Sequence, residues 1–130
     1  MFIRYEILST IPHYLAILPW LPMITTNYQN ITYHNIVFVS TTLSVLWHVY
    51  EEPMHTVLYY ADHMGAFVWF LYDLELASRM SERARATIVL SNMLVFILFL
   101  LSNSMGKYHS EWHIISALKC IVVSLIATTV

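Results

Sequence analysis

The sequence predicts an all-α fold, an integral-membrane bundle of about five transmembrane helices, and three observations carry that expectation. The apolar share is 58% and the charged share 11%, against about 45–50% and about 25% in ordinary soluble domains. The apolar residues come in long runs rather than scattered patches. Lipid offers the backbone no hydrogen-bond partners, so runs of this length must satisfy themselves as helices.

Five apolar segments can be marked, over residues 7–25, 35–50, 56–72, 86–105 and 112–130. At about 20 residues per crossing, the chain has room for at most about five or six spans. The first segment follows Arg4 and imitates a signal peptide. Pro12, Pro19 and Pro22 interrupt it and no small-x-small cleavage site follows, so it is expected to be a retained span. The second and third segments carry His48, Asp62 and His63, and Glu51-Glu52-Pro53 between them reads as a turn at the membrane surface. The fourth contains TIVLSNMLVFILFLL and is the cleanest span. Residues 26–34 and 102–111 read as connectors. Residues 73–85 form the polar one, where Asp73, Glu75, Arg79, Glu82 and Arg83 suit an exposed helix with ion pairs three and four residues apart.

This organisation excludes several classes. The 130 residues suffice for a single transmembrane domain over 1–130. A formal charge of −2 with no Lys/Arg cluster gives no footprint for nucleic acid. Cys120 is the sole cysteine, so there is no internal disulfide. Two glycines and four prolines make no linker, and no internal repeat is present. Five spans place the N-terminal side (Arg4, Lys107) opposite the side that holds Arg79, Arg83 and Arg85. The basic residues lean the latter side toward the cytosol, although the sequon Asn30-Ile-Thr32 falls on the same side.

Ionisable groups inside a bilayer cost about 2.5–3.5 kcal/mol each and normally have a functional or pairing reason. Here they are His13, His48, Asp62, His63, His109, His113 and Lys119. In Ser44-Val-Leu-Trp-His48 and in His109-Ser-Glu-Trp-His113, a spacing of four puts two side chains on one helix face, a turn apart. Following the topology, the second span ends, and the third and fifth begin, at the same membrane face. Ser44, His48, Asp62, His109 and His113 therefore share one depth. Three converging imidazoles suit zinc, whose catalytic sites keep three protein ligands and an open position for water. Asp62 could take a proton from that water, and Ser44 could donate to an oxyanion or orient a ligand.

Blander readings apply elsewhere. His13 and His63 are expected to be helix–helix hydrogen-bonding residues. Trp47 and Trp112 are expected to be interface anchors, and Tyr59, Tyr60 and Trp69 belt or packing residues. Lys119, six residues past His113 and about 120° off the ligand face, should meet a neighbouring helix or snorkel away from the site. The seven methionines suit packing rather than copper.

The combined pattern of Ser-x-x-x-His, an Asp early in the next span and His-x-x-x-His resembles the signature of the CREST superfamily of membrane hydrolases. YADHMGAFVWF and YHSEWHIISA look most like its branch of myomaker-like proteins and GPI-directed phospholipases. The resemblance covers roughly residues 40–69 and 108–117. It implies that His48, His109 and His113 bind zinc, with Asp62 and Ser44 around the metal-bound water, and that a lipid amide or ester is hydrolysed. The sequence departs from that branch between residues 73 and 108, which have room for one span where the family has three. The loss keeps the ligands on one side but removes part of the wall around a lipid. The expected partners are membrane lipids, further copies of the chain or other membrane subunits. The alternative is a non-catalytic accessory subunit of a larger membrane complex that retains the metal-site residues. A proton or ion relay is the weaker third reading, because residues gathered at one face build no path across a bilayer.

Overall fold

In the computed structural model, residues 5–16, 28–50, 56–105 and 108–128 are described, and they are helical apart from short turns. Where the first span was expected to begin there are two short helices, α1 (Tyr5–Thr10) and α2 (Pro12–Ala16). They are separated by a turn at Ile11, and Pro12 sits at the first position of α2, where a missing N–H costs nothing. The remaining residues of that expected span lie outside the described residues, as does the expected Glu51-Glu52-Pro53 turn.

Four long helices follow: α3 (Tyr28–Tyr50), α4 (Val57–Ser78), α5 (Glu82–Met105) and α6 (His109–Thr128). Three expected boundaries are corrected. Most of the connector at 26–34 is the first part of α3, because Tyr33 and Val37 lie one turn apart and are both fully buried. The polar connector at 73–85 is no separate exposed helix. Its first half continues α4, where Asp73 is wholly buried, and only Glu75 and Arg79 make the expected i,i+4 surface pair. Much of the connector at 102–111 is helical, because α5 runs to Met105 and α6 begins at His109.

The ends of these helices are fixed locally. Thr56 caps α4, its hydroxyl accepting from Tyr59 N–H. Arg85 reaches back from the first turn of α5 and donates to the carbonyls of Ala77 and Ser78 at the C-terminus of α4 and to that of Met80 just beyond it. Tyr108 adopts φ 65°, a left-handed backbone that costs a non-glycine residue about 1–2 kcal/mol. Its carbonyl accepts from Trp112 N–H and starts α6 immediately at His109.

The helices form a closed ring, α3 to α4 to α5 to α6, with α1 and α2 bridging α6 back to α3. α4 comes close to α3 at Gly65, where an added Cβ would meet Ser40 at 3.3 Å. We expect Gly65→Leu to spread α3 from α4 and to lower stability by about 1–3 kcal/mol, measured by unfolding in detergent. An unchanged midpoint would contradict this packing.

Among the described residues, fifteen polar or charged side chains are buried against eleven apolar ones, while twenty-six large apolar residues are exposed. Polar side chains thus line the inside of the bundle, and large apolar ones cover much of its outside. One helix, α5, is by itself long and apolar enough to cross a membrane, with a mean hydropathy of 2.1. The other long helices are made more polar by residues they turn inward, among them Asp62 and Asp73 on α4 and His113 and Lys119 on α6.

Candidate metal centre

The last turn of α3 and the first turn of α6 meet at the three predicted ligands. The Nε2 atoms lie 3.1 Å apart for His48 and His109, 3.0 Å for His109 and His113, and 3.3 Å for His48 and His113. Each ring nitrogen offers one in-plane lone pair or one in-plane proton, so three that converge on a point cannot all pair with one another. A cation between them satisfies all three lone pairs. Two nitrogens held at about 2.0–2.1 Å by one tetrahedral ion stand about 3.3 Å apart, so the observed triangle fits. The site can hold a metal ion on these three donors.

The surroundings aim the rings. His109 Nδ1 lies 2.9 Å from Ser102 Oγ, and donation to that hydroxyl leaves the Nε2 lone pair free to face the other imidazoles. Ser102 is buried on the last turns of α5, inside the stretch that sequence reasoning assigned to a connector, so it was missed. Trp112 stacks on His113 with ring centroids 4.9 Å apart and is 5% exposed. It is a packing wall of the centre and not the interface anchor expected from its position near the start of a span. Trp47 lies against His48, His63 and His109, with centroids 4.8, 5.6 and 6.1 Å apart.

Ser44 and Asp62 are both buried and both line one cavity with His113. The Ser44 hydroxyl lies against the Asp62 carboxyl. Yet neither Ser44 Oγ nor Asp62 Oδ2 reaches full hydrogen-bond geometry with another described residue. Asp62 Oδ2 also stands 3.7 Å from His63 Nδ1, so the cavity wall carries a small polar cluster that suits a polar ligand.

His63 makes the expected helix–helix bond, its side chain bonding Asn103 of α5, while its Nδ1 lies 2.8 Å from the Tyr59 carbonyl and His13 Nδ1 lies 2.9 Å from the Thr10 carbonyl of its own segment. His13 still packs against Trp69 and His113, and His63 against Phe99 of α5.

A second polar group lies deeper. Lys119 Nζ meets Asp73 Oδ2 at 2.6 Å and Asn92 Oδ1 at 3.0 Å, and stands 4.1 Å from the centre of the Trp69 ring. Trp69 Nε1–H donates to the Tyr33 hydroxyl at 3.1 Å, and that hydroxyl in turn bonds Asp73. Of the two fates expected for Lys119, it takes the neighbouring helix. No family model, curated protein or solved structure matches this chain.

Proposed function

We propose that this chain is a multi-pass membrane hydrolase, a shortened relative of the CREST superfamily, that cleaves an ester or amide bond in a membrane lipid using zinc held by His48, His109 and His113. The convergence of three imidazole nitrogens within 3.3 Å carries this reading. His48, His109 and His113 would hold the zinc, which when bound would supply Lewis-acid polarisation of a carbonyl and would lower the pKa of a water toward about 7.

The chain's own residues supply the rest. Asp62, whose carboxyl lies against Ser44 and 3.7 Å from His63 Nδ1, lines the cavity with His113 and acts as the proton acceptor. Ser44, one turn before His48, donates from its hydroxyl to the oxyanion that develops on the scissile carbonyl. Trp47 and Trp112 wall the centre and keep bulk water from the imidazoles. The polar interior and apolar exterior support about five spans, with lipid or further membrane subunits covering the outer faces.

Purified protein offered ceramides, phospholipids and GPI lipids tests the reading. Asp62→Asn is expected to keep its zinc and to lose turnover by about 10²–10⁴-fold. Turnover equal to the parent in both Asp62→Asn and His109→Ala would remove the proposal. The extent of exposed apolar surface favours one other reading, a non-catalytic accessory subunit. Zinc-loaded protein that leaves every lipid intact and migrates within a larger assembly on a native gel would support that instead.

A further inference from the structure

The Asp62 carboxyl has two polar neighbours, and one of them has a second duty. Ser44 lies against it, but a serine hydroxyl carries a single proton. When that proton turns to the oxyanion, Asp62 loses it. The other neighbour is His63, which is not among the three converging ligands. Its Nδ1 stands 3.7 Å from Asp62 Oδ2 and 2.8 Å from the Tyr59 carbonyl. A carbonyl can only accept, so Nδ1 carries a hydrogen and turns a positive edge toward Asp62. Adjacent side chains on a helix diverge by about 100°; the bond to a carbonyl one turn back holds this imidazole close to its neighbour. The ring is fixed from all four long helices. Its centroid lies 5.6 Å from that of Trp47 on α3, 4.1 Å from Tyr59 on α4, 5.6 Å from Phe99 on α5 and 6.4 Å from Trp112 on α6. The Asn103 side chain of α5 is its further hydrogen-bond partner.

We propose that His63 is a positioning residue of the candidate centre, whose Nδ1–H holds the Asp62 carboxyl in place while Ser44 serves the substrate. The separation suits that task. At 3.7 Å it exceeds a hydrogen bond, so the carboxyl keeps its lone pairs for the proton it accepts. The N–H still attracts it, and more strongly in a low-dielectric interior than in water. A ring needed for packing alone would require no nitrogen, and a ring free to turn could hold nothing; His63 is clamped by aromatic rings and bonded through its nitrogens. The inference rests on the hydrolase reading for the reaction that Asp62 serves, but not for the contact that holds Asp62.

Three substitutions in the full chain separate holding from packing. His63→Phe keeps the ring and removes its nitrogens. His63→Asn places an amide nitrogen where Nδ1 stands, and His63→Gln places one at the position of Nε2 instead. With ceramide, phospholipid and GPI lipid as probes, kcat should fall by about 10–100-fold in His63→Phe and His63→Gln, with KM and zinc content unchanged. His63→Asn should restore most of the rate. A second readout needs no turnover: the infrared difference between each protein and the same protein carrying Asp62→Asn isolates the Asp62 carboxyl band. That band should move in His63→Phe and His63→Gln and stay in His63→Asn. If His63→Phe lowers the unfolding midpoint, His63→Asn and His63→Gln decide alone, being alike in chemistry and different in reach. A band that stays put in His63→Gln, or that moves equally in His63→Asn, would overturn the inference. Lipids left intact by the parent would fail the hydrolase reading alone, because the band still reports what holds Asp62.

Discussion

His113→Ala protein is expected to lose its metal, the zinc content after gentle detergent extraction falling from near one per chain to background. The loss should be this large because the three donors act as one unit. Two imidazoles on opposite helices leave half of a tetrahedral shell unfilled, and His113 is the most buried of the three, so no mobile side chain can replace it. His109→Ala should behave alike. Ser102→Ala should differ in kind: the ligand remains, but its ring loses the hydroxyl 2.9 Å from Nδ1, and metal affinity falls by about 10–100-fold at unchanged stoichiometry. Circular dichroism on the same samples separates this outcome from unfolding. Zinc content in His113→Ala equal to that of the parent would contradict a centre built on these imidazoles.

Much of this centre is legible in the sequence because it depends on two regularities that survive without coordinates. Helical periodicity puts His109 and His113 on one face, and counting spans puts His48, Asp62 and Ser44 at their depth. What stayed hidden depends on where helices end and how they rotate. Ser102 looked like a connector residue because polar Ser102, Asn103 and Ser104 follow an apolar run, yet their backbone stays helical to Met105. The left-handed Tyr108 then folds α6 straight back, so that Ser102 meets His109. Asp73 was misjudged for a similar reason. Its neighbours Glu75 and Arg79 are half-exposed and pair at the surface, and nothing in the local composition separates it from them. Only the rotation of α4 turns Asp73 inward, toward the Lys119 that the sequence left without a named partner. The opening segment shows a third limit, since the hydropathy of residues 7–25 suited one span while Pro12 begins a separate helix within it.

Asp73→Ala should destabilise the protein by about 3–5 kcal/mol, as should Lys119→Ala, because each leaves the opposite charge in the interior without its counter-ion. Both side chains are almost fully buried, and the contact between them is 2.6 Å. Asn92 and the face of Trp69 are neutral and cannot replace the carboxylate for Lys119. Removing both charges at once should cost much less, since Asp73→Leu with Lys119→Met replaces the pair by apolar groups of similar reach, an exchange that is often neutral. A double-mutant cycle in detergent, read by tryptophan fluorescence during unfolding, measures the coupling. Single variants that each cost about 1 kcal/mol or less would mean that the pair behaves as an exposed one does. The same cycle bears on function. The pair ties α6 to α4 about three residues beyond the turn after His113 and well along α4 from Asp62, so it fixes the sliding of one helix against the other. If the apolar double variant regains stability yet binds zinc more weakly than the parent, the buried charges set the register that keeps Asp62 beside the imidazoles. If zinc binding is also regained, the packing of α5 against both α4 and α6 sets it without them.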